Sequence, residues 1–244
     1  MLKPLAIALL SSLAAAVVDA QAPPPPYLMA GVNTVTISVE WDPATVDAVL
    51  PPGIVPVEGY TGGINLYTAP QGYGINPYSA AYAYVSVEGY DSSDGSKARY
   101  IMQGYYGPNP DVTDALVEYF AIAVTTGDSA QEATMSGGLS TWTGRGGQST
   151  DEDANIKIEV EPLGGDCIPL SGTLNYVGYK ETPKKGPKYP LLQIPYIGDF
   201  CPGNPIDLSL EGNGSGTDPL DTLGVVSMTG GGQIKNAAFA FVEG

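Results

Sequence analysis

Eleven short runs of alternating apolar and polar residues, each bounded by Gly, Pro, Asn or Asp, recur along the 244-residue chain. They are VNTVTISVEW (32–41), GGINLYTA (62–69), AAYAYVSVEGY (80–90), ARYIMQGYY (98–106), FAIAVTT (120–126), NIKIEVEP (155–162), SGTLNYVGYK (171–180), YPLLQIPYI (189–197), IDLSLEG (206–212), TLGVVSMTG (222–230) and NAAFAFVEG (236–244). Period-2 runs rich in β-branched and aromatic residues between turn formers read as strands. A strand hides its apolar face only against another sheet or by closing the sheet on itself. So many strands predict a mainly β protein, an antiparallel barrel or sandwich.

Helical signals are few. Asp42-Pro43 followed by ATVDAVL predicts a short helix with Asp42 as N-cap and Pro43 at its first position, stopped by Pro51-Pro52-Gly53. DVTDALVEY (111–119) and DSAQEATMS (128–136), each opened by an aspartate, are the other expected helices.

The first 22 residues, MLKPLAIALLSSLAAAVVDAQA, place Lys3 ahead of an apolar stretch and end in small residues, the pattern of a secretory signal rather than a spanning helix. The following PPPP would stop any helix. Residues 23–244 are expected to be one domain, exported and not membrane-spanning. In an oxidising compartment Cys167 and Cys201 read by default as one disulfide, with a metal pair or a thiol nucleophile as alternatives. Asn213-Gly-Ser is a glycosylation sequon in a eukaryotic host.

Formal net charge is −16, which argues against nucleic acid and anionic membrane as partners. The chain contains no histidine, so Ser-His-Asp and Cys-His catalysis and histidine metal sites are excluded. Chemistry must come from carboxylates, Lys, Tyr, Arg or bound water. The Asp151–Asp153 run lacks EF-hand spacing and reads as a solvated loop, so no metal and no cofactor are expected.

WDPATVDAVLPPGIVPVEG resembles the N-terminal signature of the acetoacetate decarboxylase superfamily. LLQIPYIGD and DPLDTLGVVSMTGGGQIKNAAFAF resemble its late strands, and SGTLNYVGYK fits its central strand, so the resemblance runs with gaps from about Val32 to Phe241. The resemblance implies a closed, cone-like antiparallel β-barrel with a few short peripheral helices. It also implies a Schiff-base lysine in a Gly-Arg-Glu-x-x-x-x-Pro-Lys-Lys loop. The equivalent here is SGGLSTWTGRGG (136–147): Gly-Arg-Glu becomes Ser136-Gly137-Gly138 and Pro-Lys-Lys becomes Thr143-Gly144-Arg145. Gly144 thus stands where the family has its nucleophile. Arg145 cannot replace it, because a guanidinium stays protonated. Asn65 and Tyr78 stand at the family's two pocket glutamates.

TPKKGPKYP (182–190), the chain's other Pro-Lys-Lys, lies between two expected strands and reads as an exposed turn. Arg145 and Tyr78 are therefore the candidate catalytic residues, an anion-holding fork and a proton mover. Asn65, Tyr67, Tyr82 and Trp142 are the candidate substrate contacts, although aromatic residues at such spacing also simply fill cores. The expected function is an exported enzyme of lyase, isomerase or cyclase type acting on a small oxo- or aromatic compound without a Schiff base. The alternative is a non-catalytic secreted barrel that binds a small molecule. The oligomeric state is not legible.

Overall fold

In a computed structural model of the chain, residues 23–136 and 139–244 are described; residues 1–22, where a secretory signal is expected, and the Gly137-Gly138 pair lie outside them. Strand makes up 57% of the structure and helix 10%, so the protein is mainly β. In chain order the elements are β1 (Tyr27–Trp41), α1 (Pro43–Val49), β2 (Thr61–Ala69), β3 (Gln71–Tyr73), β4 (Tyr78–Val87), β5 (Ala98–Gly107) and α2 (Pro110–Phe120). They continue with β6 (Thr125–Thr126), β7 (Asp128–Ser136), β8 (Leu139–Gly147), β9 (Ile156–Pro162), β10 (Ile168–Val177), β11 (Leu191–Leu210), a 3-10 turn (Pro219–Asp221) and β12 (Val225–Glu243).

Seven strands in the order β10-β5-β4-β2-β1-β12-β11, with β11 returning to β10, form a closed hydrogen-bonded ring. All its neighbours are antiparallel except β5 and β10, which meet through the single parallel pair Tyr176 and Arg99. From the far part of β11 the sheet continues through β9 and β8 to β7, and this arm folds back over the outer face of β2 and β4.

Both faces of β2 and β4 are consequently buried, and alternation sorts their side chains into two cores. Ile64, Leu66, Ala81 and Ala83 point outward and pack with Trp142, Ile156, Ile158 and Val160 of the arm. Tyr67, Tyr78, Tyr82 and Tyr84 point inward and meet Tyr106, Tyr176 and Phe241. Gly144 and Gly146 let the arm approach closely. A Cβ on Gly146 would stand 2.5 Å from that of Ala81.

Both early helix signals hold. Asp42 accepts from the amide of Ala44 at 2.9 Å with Pro43 in the first turn, and Asn109 caps α2. The C-terminal Asp-Pro-Leu becomes the 3-10 turn. Its Asp218 is buried and accepts from Gln103 (3.0 Å) and Tyr105 (3.2 Å), both on β5.

Three expectations are corrected. DSAQEATMS is not a helix: it is β7, paired in register with β8 from Asp128–Gly147 to Ser136–Leu139, so tertiary pairing overrides its helix-forming composition. The Asp128 side chain caps nothing and accepts instead from Ser79 and from the amide of Ser129. The supposed loop at 136–147 is largely β8, a regular strand. FAIAVTT is not a full strand, because Phe120 closes α2, Ala121 caps it in the left-handed region (φ 52°) and only Thr125–Thr126 pair with β5. In addition, YPLLQIPYI and IDLSLEG fuse into the 20-residue β11, and the last two runs fuse into the 19-residue β12.

TPKKGPKYP forms the β10–β11 connection, with Lys184, Lys185 and Lys188 exposed and Lys180 bridged to Lys188. Cys167 and Cys201 form a disulfide that ties the residue before β10 to β11, next to the register pair Ile168–Phe200. Closing 34 residues of sequence contributes about 3–4 kcal/mol by restricting the unfolded chain.

Candidate ligand-binding and active site

The ring encloses an open cavity of about 360 Å³. One wall comes from β1, β2, β4 and β5 and carries Thr34, Thr36, Ser38, Asn65, Tyr82 and Arg99. The opposite wall, from β10, β11 and β12, is mostly apolar, with Leu174, Leu192, Ile194, Ile234 and Phe239, and carries the phenols of Tyr176 and Tyr196. Leu116 of α2 adds to the apolar side. This division follows from side-chain alternation, which turns the polar members of β1 and β2 inward because their outward neighbours fill the second core.

A hydrogen-bonded chain runs along the polar wall and reaches Tyr176 of β10 on the opposite one. Thr36 Oγ1 donates to Asn65 Oδ1 at 2.6 Å, and Asn65 Nδ2 donates to Tyr82 Oη at 2.7 Å. Tyr82 Oη and Tyr176 Oη share a hydrogen bond at 2.8 Å, and Arg99 Nη1 donates to Tyr176 Oη at 3.0 Å. The last link spans the seam where β5 and β10 close the ring, so the same two residues pair through backbone and side chain.

Arg99 lies under the ring of Tyr84, its Cζ 4.2 Å from the ring centroid, a cation–π contact. No carboxylate among the described residues is in ion-pair reach of it. Burial opposes its charge, but Tyr176, Tyr84 and Tyr82 outweigh that cost, and its pKa moves up from the ordinary guanidinium value. Burial holds the phenols of Tyr67, Tyr82 and Tyr106 well above their ordinary value of 10.0, with neighbouring tyrosines adding to the shift. For Tyr82, Arg99 pulls the other way without reversing the result. At neutral pH the site therefore presents a fixed cation and protonated phenols, all donors.

Of the residues singled out in the sequence, Asn65, Tyr67 and Tyr82 line the cavity. Tyr78 lies behind this lining, its hydroxyl 2.9 Å from that of Tyr67. Trp142 is in the outer core, with Lys235 Nζ 5.7 Å from its ring centroid. Arg145 faces away from the ring and pairs with exposed Glu152 at 2.9 Å. It does not line the cavity, and neither does any lysine among the described residues. A Cβ on Gly144 would lie 3.2 Å from Ile158 and 3.3 Å from Leu66, in the outer core.

Sequence reasoning passed over Arg99 and Tyr176. The available signal was scarcity: the chain has only two arginines, and Arg99 stands in an alternating run.

No protein-family model and no curated protein matches the chain. Solved structures do. The enduracididine biosynthesis enzyme MppR with bound HEPES superposes with a TM-score of 0.67 at 14% identity, covering 91% of this chain and 87% of that one. Acetoacetate decarboxylase from Legionella pneumophila gives 0.64 at 13% identity over 91% and 87%. An acetoacetate decarboxylase-like enzyme from Sphingomonas wittichii RW1 gives 0.60 at 14% identity over 90% and 91%. The chain thus shares the fold of acetoacetate decarboxylase and of acetoacetate decarboxylase-like enzymes over about nine-tenths of its length.

Proposed function

We propose that the protein is an exported enzyme that acts on a small oxo- or aromatic compound inside the ring, read as a closed cone-like β-barrel, by lyase, isomerase or cyclase chemistry without a Schiff-base lysine. The observation that carries this reading is the convergence of Arg99, Tyr82 and Tyr176 on a cavity whose lining, among the described residues, holds no amine. Structures of MppR are described with bound pyruvate and with the condensation product of pyruvate and imidazole 4-carboxaldehyde, so that protein holds small oxo compounds on the same fold. Export is supported by the leader-like first 22 residues and by the disulfide.

The chemistry follows from what the wall can donate. Removing a proton beside a carbonyl, or breaking a bond there, builds negative charge on the carbonyl oxygen. The Tyr82–Tyr176 pair and the Arg99 guanidinium are preorganised donors for such an enolate, in a site mostly lined by apolar side chains where their effect is large. When a bond beside the carbonyl breaks and its electron pair stays as the enolate, a phenol held neutral by burial is the acid that protonates the carbon, and it regains its proton from water entering the open cavity.

Turnover of a panel of aryl and alkyl 3-oxo acids tests the reading. Tyr82→Phe is expected to lower kcat/KM about 100-fold, whereas Arg145→Ala leaves it unchanged. Borohydride added during turnover is expected to leave the protein mass unaltered. A lysine adduct on the active protein contradicts the mechanism, and binding without turnover of any panel member makes the protein a carrier.

A further inference from the structure

Arg99 is an incompletely satisfied cation. A guanidinium offers five N–H donors. Tyr176 takes one of them, no carboxylate neutralises the charge among the described residues, and Arg99 faces the cavity. Arg99 is only partly buried and its unbonded N–H groups open on the cavity, so taking it partly out of water has a cost that an anion bound there would repay. The Tyr84 ring face offsets part of that cost but accepts no directional hydrogen bond.

The neighbouring phenols are short of an acceptor as well. Tyr82 Oη accepts one hydrogen from Asn65, and Tyr176 Oη accepts one from Arg99. The two hydroxyls share one further bond, which uses one of their two hydrogens. Whichever tyrosine donates, the hydrogen of the other is left over beside Arg99. A charged fork and a spare hydroxyl hydrogen at one place match the two oxygens of a carboxylate.

The rest of the cavity describes the body of the ligand. Thr34 and Ser38 extend the polar wall on either side of Thr36, while Leu174, Ile194 and Phe239 belong to the opposite wall. About 360 Å³ suits one substituted ring with a short side chain.

We propose that the ligand is an aryl carboxylate with oxygen substituents along one edge, its carboxylate on Arg99 and the Tyr82–Tyr176 pair and its bare edge against Leu174, Ile194 and Phe239. The proposal rests on the cavity being the functional site and is independent of turnover.

Cinnamate, 3,5-dihydroxycinnamate and methyl cinnamate are suitable probes, measured by calorimetry on the full folded protein. Wild type is expected to bind cinnamate about 30-fold more tightly than its methyl ester, the size of effect one charge-assisted hydrogen-bonded contact produces. The dihydroxy acid is expected to bind more tightly still. Arg99→Met should bring acid and ester within about threefold of each other while the unliganded protein keeps its β circular dichroism. Tyr176→Phe, the milder variant, should weaken the acid about 5- to 10-fold and leave the ester alone.

Equal affinity of wild type for acid and ester, undiminished discrimination in both variants, or no binding of any probe would overturn the proposal. Oxo-acid turnover that persists in that case leaves the enzymatic reading standing. Carboxylate binding without turnover does the reverse.

Discussion

The folded protein is expected to hold its full stability up to about pH 10 and then to unfold cooperatively, between about pH 11 and 12. Tyr67, Tyr78, Tyr82 and Tyr106 are all nearly inaccessible, and burial raises the pKa of each above 10.0. In the unfolded chain the same phenols ionise near 10. Below that pH both states keep their protons and stability does not change. Above it the unfolded state loses protons that the folded state retains, so stability falls as pH rises towards the folded-state values. Each phenol contributes about 1.4 kcal/mol per pH unit, and four together remove about 5–6 kcal/mol by pH 11, comparable with the whole stability of many domains. Phenolate absorbance should show exposed tyrosines titrating smoothly and the interior ones in a single step that coincides with loss of β circular dichroism. A gradual titration of all sixteen tyrosines in the folded state would mean that the ring is wet and loosely packed.

Gly144→Lys is expected to weaken the protein by about 3–5 kcal/mol and to create no Schiff-base activity. Its side chain would start 3.2 Å from Ile158 and 3.3 Å from Leu66, between the β7–β9 arm and the outer face of β2. A lysine there must either lose its proton or part the two layers. Denaturant unfolding measures the cost, and borohydride with a 3-oxo acid followed by intact-mass measurement should find no adduct. A trapped adduct at position 144 would put that residue in the cavity after all.

The strands were legible because alternation is local: β1, β2, β4, β5, β9 and β10 stand close to where their runs place them. Local signals failed where pairing decided the outcome. DSAQEATMS has helix-forming residues and an opening aspartate, yet nine register pairs with β8 hold it extended. The fused β11 tolerates Pro202 and Pro205 inside a strand, which no local rule anticipates.

The site was legible only in part, for a related reason. Alternation separates the two faces of a strand but does not say which face looks into the ring when both are buried, as in β2 and β4. Asn65 stood out because the resemblance sets it at a pocket glutamate position, and Tyr67 and Tyr82 because they alternate with small or apolar residues along their runs. Between the two arginines, a glycine-rich setting drew attention to Arg145. What distinguishes Arg99 is its place on the seam with β10, a contact between residues 77 apart in sequence.

The central claim, that the ring cavity is the working site and uses Arg99 and the phenols in place of an amine, is tested most directly by a crystal structure with a phenyl-substituted 3-oxo acid. The account predicts density for the ligand or its product inside the ring, an oxygen within hydrogen-bond distance of Arg99 and of Tyr82 or Tyr176, and no covalent bond to the protein. Density bonded to a lysine, or a ligand seated beside Arg145 on the outer face of the arm, would contradict it.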